Sequence, residues 1–239
     1  MPKLNILDWG LIAYDKAQIQ QEEILKEIVD QKLLNRDLIQ SIQFKLPTSY
    51  LIFCQHEPVY TLGNSGSTEN LLLDETELLN RGIKYYKIRR GGDITFHGPG
   101  QLVGYPILDL DQFFTDIHKY LRLLEETIIL TLADYGIRAG RISGLTGVWA
   151  GCEEPESARK ICAIGVRCSR WVTMHGFALN VNTDLSYFEN IIPCGIKNKA
   201  VTSIEKELGY QVELQDVQQA VKKNFIQIFG ASQALSLSQ

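Results

Sequence analysis

Apolar and polar positions along the chain alternate with two distinct periods and mark out a succession of short elements. Over residues 11–34, apolar side chains such as Ile12, Ile19, Ile24 and Ile28 recur at helical spacing with Gln, Glu and Lys between them, which predicts an amphipathic helix packed on a core. Residues 49–54 form an apolar, aromatic run suited to a strand, 63–67 read as a loop, and 84–89 read as a strand that ends at a double glycine. Residues 101–110 are strand-like. The clearest helix covers 113–135, with Ile117, Leu121, Leu124, Ile128 and Leu132 on one face and Gly136 placed to cap its end. Strands over 147–149, 159–167 and 171–181 follow, with residues 168–170 where a hairpin would turn. Thr202-Ser203-Ile204-Glu205 has the form of a capping box, and a last amphipathic helix over 216–229 ends at Gly230. Strands and helices mix without a regular βαβ rhythm. The expected fold class is therefore α/β (α+β): one domain over residues 1–230, a mixed β-sheet flanked by helices, with a frayed tail over 231–239.

Composition narrows the picture. The 239 residues are 45% hydrophobic and 22% charged, an ordinary globular balance at a length that buries a sizeable core without staples. The five cysteines, at 54, 152, 162, 168 and 194, form no C-x-x-C pair and no zinc-spaced group with histidine. That pattern implies a reducing, cytoplasmic setting and no metal. The first ten residues lack a charged start followed by a long apolar run, so no secretory signal is expected. No run of 18 apolar residues exists to span a membrane. A net charge of −4 argues against nucleic acid as a partner. The charge is uneven: residues 84–200 carry 14 Lys+Arg against 12 Asp+Glu, and the remainder carries 10 against 16. The basic excess lies where the candidate chemistry lies.

Three segments carry that chemistry. Ile192-Pro193-Cys194-Gly195-Ile196 sets a thiol between a residue that fixes φ and one that permits any φ, a corner on which a nucleophile is easily presented. Residues 89–101 pack four glycines, a proline, a histidine and two arginines into one stretch. Its glycines let backbone N–H groups approach a ligand, while the spacing is that of neither a phosphate loop nor a dinucleotide fingerprint. Lys160-Ile161-Cys162-Ala163-Ile164-Gly165 opens an apolar strand with a lysine. An ammonium beside a thiol favours the thiolate, by roughly 4 kcal/mol of attraction at 4 Å before desolvation. His97 and His175, each beside a glycine, are alternative bases, and spacing alone leaves the choice among Lys160, His97 and His175 open.

Taken together these segments resemble one family. The run from Arg90 through Gly91, Gly92, Asp93, Ile94, Thr95, Phe96 and His97 to Gly98-Pro99-Gly100-Gln101-Leu102-Val103 is similar to the signature of the octanoyltransferases of lipoate biosynthesis. So are Gly147-Val148-Trp149, the stretch from Lys160 to Val166, the stretch from Thr173 to Asn180, and the Pro193-Cys194-Gly195 corner. The resemblance implies the catalytic fold shared by biotin and lipoate protein ligases. It also implies transfer of an octanoyl group from acyl carrier protein to a lysine of apo lipoyl domains through a cysteine thioester, by a monomer without metal, ATP or other cofactor. Carried over by motif, Cys194 is the nucleophile and Lys160 its activating partner. The acyl site is lined by Arg90, Gly91, Gly92, Asp93, Ile94, Thr95, Phe96 and His97, by Ala163, Ile164 and Gly165, and by Gly176, Phe177 and Ala178. Two features depart from the family: residues 151–159, with Glu153, Glu154 and Glu156, look longer and more acidic, and Cys162 adds an oxidisable thiol near the site. An acidic carrier is expected to dock on a basic rim of Arg90, Arg167, Arg170, Lys197 and Lys199. The rival readings are an ATP-dependent lipoate or biotin ligase on the same fold, and an inert acyl- or carrier-binding module.

Overall fold

The computed structural model describes residues 1–36, 44–154, 156–192 and 200–234. Its main sheet is mixed and contains β1 (Lys3–Ile12), β2 (Ser49–His56), β6 (Gln101–Ile107), β7 (Ala139–Ile142), β8 (Leu145–Ala150), β9 (Arg159–Ser169), β10 (Val172–Asn180), β11 (Ala200–Val201) and β12 (Ser232–Gln233). These lie side by side in the order β12-β1-β2-β6-β10-β9-β8-β7, with β11 beside β9. A smaller sheet orders β4 (Lys84–Lys87), β3 (Val59–Leu62) and β5 (Ile94–His97), and the short helix α2 (Glu75–Asn80) leads into it. Helices α3 (Ile117–Asp134) and α5 (Leu214–Phe229) cover one face of the main sheet, burying Tyr120, Leu124, Ile128 and Leu132 against Val217, Val221 and Phe225. Helix α1 (Tyr14–Asn35) covers the other face, where Ala17 and Ile28 meet Ile52, Val103, Tyr105, Ile107 and Ala178.

Several elements differ from the sequence expectation. The first helix starts at Tyr14, and the preceding residues form β1, whose irregular exposure reflects a strand paired on one side along its length and on the other only by β12 at Lys3 and Leu4. That pairing also shortens the expected tail. Ser232 and Gln233 are in the sheet and Ala231 is buried, while 235–239 lie outside the described residues. Helix α3 starts four residues later than its apolar pattern, after Asp116, whose carboxylate accepts the Lys119 N–H at 2.9 Å. The predicted capping box does not form: the cap falls one residue later, where the third helical residue is Lys206 and cannot return the side-chain bond. Ser203 caps the short helix α4 (Ile204–Leu208) and accepts from Lys206, because the Thr202 N–H is already committed to Lys160 O and its hydroxyl to Glu207. Strands β3 and β5 are additions that the apolar pattern does not announce.

β9 and β10 form the hairpin on which the site is built. Arg170 and Trp171 make its two-residue turn with φ of 51° and 62°, the left-handed pair that suits the twist of a β-hairpin. The described cysteines, Cys54, Cys152, Cys162 and Cys168, are all free thiols. No described helix is long and apolar enough to cross a membrane.

Candidate active site

A cavity of about 280 Å³ opens between the α1 face of the main sheet and the Gly-rich segment. One wall is β9 and β10, where Ala163 pairs with Ala178 and Gly165 with Gly176. The opposite wall is the turn before β5. It lies almost flat on β9: the Gly91 N–H donates to Val166 O at 2.9 Å, and a Cβ on Gly165 would stand 2.8 Å from Gly91 O. Glycine is needed here because two backbones approach more closely than any side chain allows.

Twelve of the fourteen residues expected at the acyl site line this cavity: Arg90, Gly92, Asp93, Ile94, Thr95, His97, Ala163, Ile164, Gly165, Gly176, Phe177 and Ala178. Two do not. Gly91 serves the docking bond to β9, and Phe96 points into the core of the small sheet, stacked on Tyr187 at 4.4 Å between ring centroids. Strand alternation turns Phe96 away from the side of Thr95 and His97, while Ile94, on the same side as Phe96, reaches both the small-sheet core and the cavity. The sequence reading missed Tyr14, Tyr105, Leu145, Thr146, Phe188 and Val201, which also line the cavity. They come from separate segments with no shared local signal.

Lys160 stands at one end of the cavity, near the start of β9. Its backbone is held on both sides, by Trp149 of β8 and Val201 of β11. Its ammonium lies 4.7 Å from the centroid of the buried Trp149 ring, a cation–π contact that orients the side chain. Gly147, at φ +114°, is required by the neighbouring backbone of β9: a Cβ there would be 2.6 Å from Cys162 O, whereas Lys160 Cε, at 3.6 Å, would be in ordinary contact. The cavity runs along β9 from Lys160 to Gly165, about 16 Å at the usual rise of a strand.

The two candidate imidazoles sit deeper. Burial pushes both His97 and His175 down to about 3, with neighbouring His56 adding to the effect at His97 and Arg90 at His175. Both are neutral at physiological pH and too weakly basic to hold a proton there. His97 is instead a link in a directed chain. Its Nδ1–H donates to Gln101 Oε1 at 2.8 Å, since Gln101 Nε2 donates to Phe96 O and Asn180 Oδ1. Asn180 Nδ2 donates to Thr202 O, and the Thr202 N–H donates to Lys160 O at 2.9 Å. The chain ties the glycine-rich wall to the backbone of Lys160. Burial also lowers His56, to about 4, and its ring nitrogens bond Ile12 O and the Tyr105 hydroxyl, a structural role.

Arg90, expected both among the rim candidates and at the acyl site, is buried and belongs to the second. Its guanidinium donates to Thr61 O, Thr61 Oγ1 and Gly91 O, fixing the wall from behind. Arg167 and Arg170 are on the surface, Arg167 within 3.9 Å of Glu22. Cys162 is fully buried in the core, and burial pushes its thiol up, out of the reactive range. The acidic segment 151–159 ends at Arg159, whose guanidinium forms a two-pronged pair with Glu207 at 2.9 Å and 2.9 Å. Cys194, Lys197 and Lys199 lie outside the described residues, but both flanks of their segment are placed. Ile192 donates its N–H to Asn70 O at 2.8 Å, and Ala200 and Val201 pair with Arg159 and Lys160.

Residues 29–226 match the lipoyl protein ligase A/B catalytic domain. An octanoyltransferase of Cytophaga hutchinsonii is 59% identical over 93% of this chain and 91% of its own length, and one of Flavobacterium johnsoniae is 58% identical over 96% and 97%. Among solved structures, a bipartite lipoate protein ligase from Thermoplasma acidophilum superposes with a TM-score of 0.70 over 98% of this chain and 86% of that one, at 16% identity, which shows a shared fold. This chain belongs to the octanoyltransferase family built on the lipoyl protein ligase A/B catalytic domain, and its reaction is octanoyl transfer.

Proposed function

We propose that the octanoyl group arrives as a thioester of acyl carrier protein, is taken onto Cys194, and is passed to a lysine of an apo lipoyl domain, with Lys160 moving the protons. The Cys194 thiolate attacks the carrier thioester, a new C–S bond forms, and the departing carrier thiol takes a proton from the Lys160 ammonium. The Lys160 amine then accepts a proton from the incoming lysine as its nitrogen attacks the acyl-enzyme and Cys194 leaves. The acyl group is already activated as a thioester, so the cycle needs neither nucleotide nor metal.

The observation that carries this reading is the register of β11 on β9. Val201, seven residues after Cys194, is paired with Lys160, and Lys160 closes one end of the acyl-sized cavity. The neutral, deeply buried imidazoles leave Lys160 as the side chain suited to proton transfer at the cavity. Burying most of an eight-carbon chain along β9 and β10 contributes roughly 5 kcal/mol at about 0.8 kcal/mol per CH₂.

Intact-protein mass after incubation with octanoyl carrier protein tests the reading. One octanoyl group should add to the wild type without ATP, map to Cys194, and be absent from Cys194→Ser. Lys160→Ala should slow both half-reactions. Lys160→Arg should restore loading but not transfer, because a guanidinium does not give up its proton. Near-normal turnover of Cys194→Ser, or dependence on ATP, would reject the scheme in favour of an adenylating ligase.

A further inference from the structure

The cavity wall and the chain that leads into Cys194 meet at one residue that the reaction scheme does not use. Asn70 ends the single helical turn Thr68–Asn70, in the segment that backs the Gly-rich wall. That segment is stitched to the wall through main-chain bonds: the Asn64 N–H donates to Arg90 O at 2.9 Å and the Ser65 N–H to Gly92 O at 3.2 Å. Asn70 adds a side-chain bond of its own. Its Nδ2 donates to Asp93 Oδ2 at 2.7 Å, while Asp93 Oδ1 accepts the Ile94 N–H. Asp93 lines the cavity.

The same residue faces the other way through its backbone. Asn70 O accepts the Ile192 N–H at 2.8 Å, the Leu72 N–H donates to Asn190 O at 2.9 Å, and Leu71 and Ile191 form an antiparallel bridge between them. Ile192 precedes Cys194 by two residues. A hydrogen-bonded path therefore runs from the acyl-site wall at Asp93, through Asn70, to the backbone that delivers the nucleophile.

We propose that Asn70 is a positioning residue for octanoyl transfer: its side-chain amide holds Asp93 in the acyl pocket while its backbone carbonyl holds Ile192, and the residue thereby sets the approach of the Cys194 thiol. The inference rests on Cys194 being the nucleophile. Both oxygens of Asp93 are committed as acceptors and the Asn70 amide supplies the donor, so the pair is directional. Asn70→Ala removes the donor. Asn70→Asp places two carboxylates face to face. Asp93→Asn leaves one acceptor where two are used. The double exchange Asn70→Asp with Asp93→Asn restores both bonds. The amide then at position 93 keeps a carbonyl oxygen for the Ile94 N–H and offers an N–H to the carboxylate then at position 70.

The test measures octanoyl loading by rapid quench, the site of the acyl group by peptide mapping, and the pH profile of thiol alkylation, beside the melting temperature. Each single variant should lower the loading rate at saturating carrier by about tenfold or more and move the alkylation profile to higher pH. The exchanged pair should return to within about threefold of wild type. Loading and alkylation unchanged in the single variants, or an exchange that fails to recover, would overturn the inference even with the acyl group on Cys194. An acyl group mapped to another residue of the wild type would overturn the nucleophile and this inference with it. Should Asn70→Ala fail to fold, Asp93→Asn and the exchanged pair decide the question by themselves.

Discussion

Replacing Gly165 by alanine asks whether the Gly-rich wall must lie flat on β9 for the acyl pocket to exist. The added Cβ would stand 2.8 Å from Gly91 O, 3.1 Å from Arg90 Cδ and 3.2 Å from Arg90 Nη1. Ordinary contact at such a carbon begins at 3.4 Å, so the wall must retreat by about 0.6 Å. Gly91 O belongs to the backbone and cannot rotate aside. Behind it the wall is held by Asn64 and Ser65, and Arg90 is fastened to Thr61. Overpacking of this kind costs about 1–3 kcal/mol, and lifting the wall also loses the Gly91–Val166 hydrogen bond, worth about 1 kcal/mol. Each 1.4 kcal/mol withheld from the transition state is about tenfold in rate. Octanoyl loading of Gly165→Ala should therefore fall about 10- to 100-fold in kcat/KM. The melting temperature should drop by about 4–16 °C, at roughly 2–4 °C per kcal/mol for a chain of this size. Gly136→Ala is the control: its φ is +73° with open space around the would-be Cβ, so it strains the cap of α3 far from the pocket. Rapid-quench loading across carrier concentrations, with thermal melts on both variants, decides the matter. If Gly165→Ala keeps more than about half the wild-type kcat/KM, or Gly136→Ala loses as much, the close approach is packing without function.

The remaining predictions concern the surroundings of Lys160, the core and the rim. Trp149→Phe should slow both half-reactions about threefold and Trp149→Leu about tenfold at saturating substrate, as the cation–π contact worth about 0.5–2 kcal/mol weakens; equal rates would make Trp149 a packing residue only. Glu125 is fully buried, accepts the Gly147 N–H at 3.1 Å and pairs with Arg122 and Arg141. Glu125→Gln should destabilise the fold by about 2–3 kcal/mol, toward the low end for a broken buried pair because both arginines reach solvent; urea unfolding would expose a neutral change. His56, His97 and His175 have folded-state values near 4, 3 and 3, below the ordinary 6.5. The unfolded chain then takes up protons that the folded chain refuses. Stability should be complete above about pH 6.5 and fall as pH drops toward 4, by on the order of 1.4 kcal/mol per unit for each histidine, and a flat urea midpoint between pH 7 and 5 would contradict it. Charge reversal at Arg167 and Arg170 should slow loading at low salt and leave it unaltered at high salt, since exposed charges act mainly on association and are screened over about 8–10 Å; salt-independent loading would reduce the rim to solvated surface.

The sequence by itself determined the elements whose signal is local. Helices α3 and α5 read directly, because their apolar stripes repeat every 3.6 residues over many turns and each ends in a glycine able to adopt positive φ. The β9–β10 hairpin, the glycine-rich wall and Lys160 were also visible as compact runs of unusual residue types. Tertiary structure decided the rest. β3 is buried at every position and β1 runs along the sheet edge, so neither shows the alternation that marks a half-buried strand. Phe96 sits inside the very motif that forms the wall yet faces a different core, because one-residue alternation in β5 turned it away. Tyr14, Tyr105, Phe188 and Val201 reach the cavity from segments far apart in the chain, and only the order of strands brings them together. The proposal of Lys160 as the proton-transfer group rests on the same kind of decision. Lys160, His97 and His175 are equal candidates on spacing, but folding strips water from the two imidazoles and pushes them to about 3 while leaving Lys160 half-buried at the end of the pocket. Desolvation belongs to the packed environment and not to the residue, which is why the composition of a motif names the possible chemistry and the fold selects which group performs it.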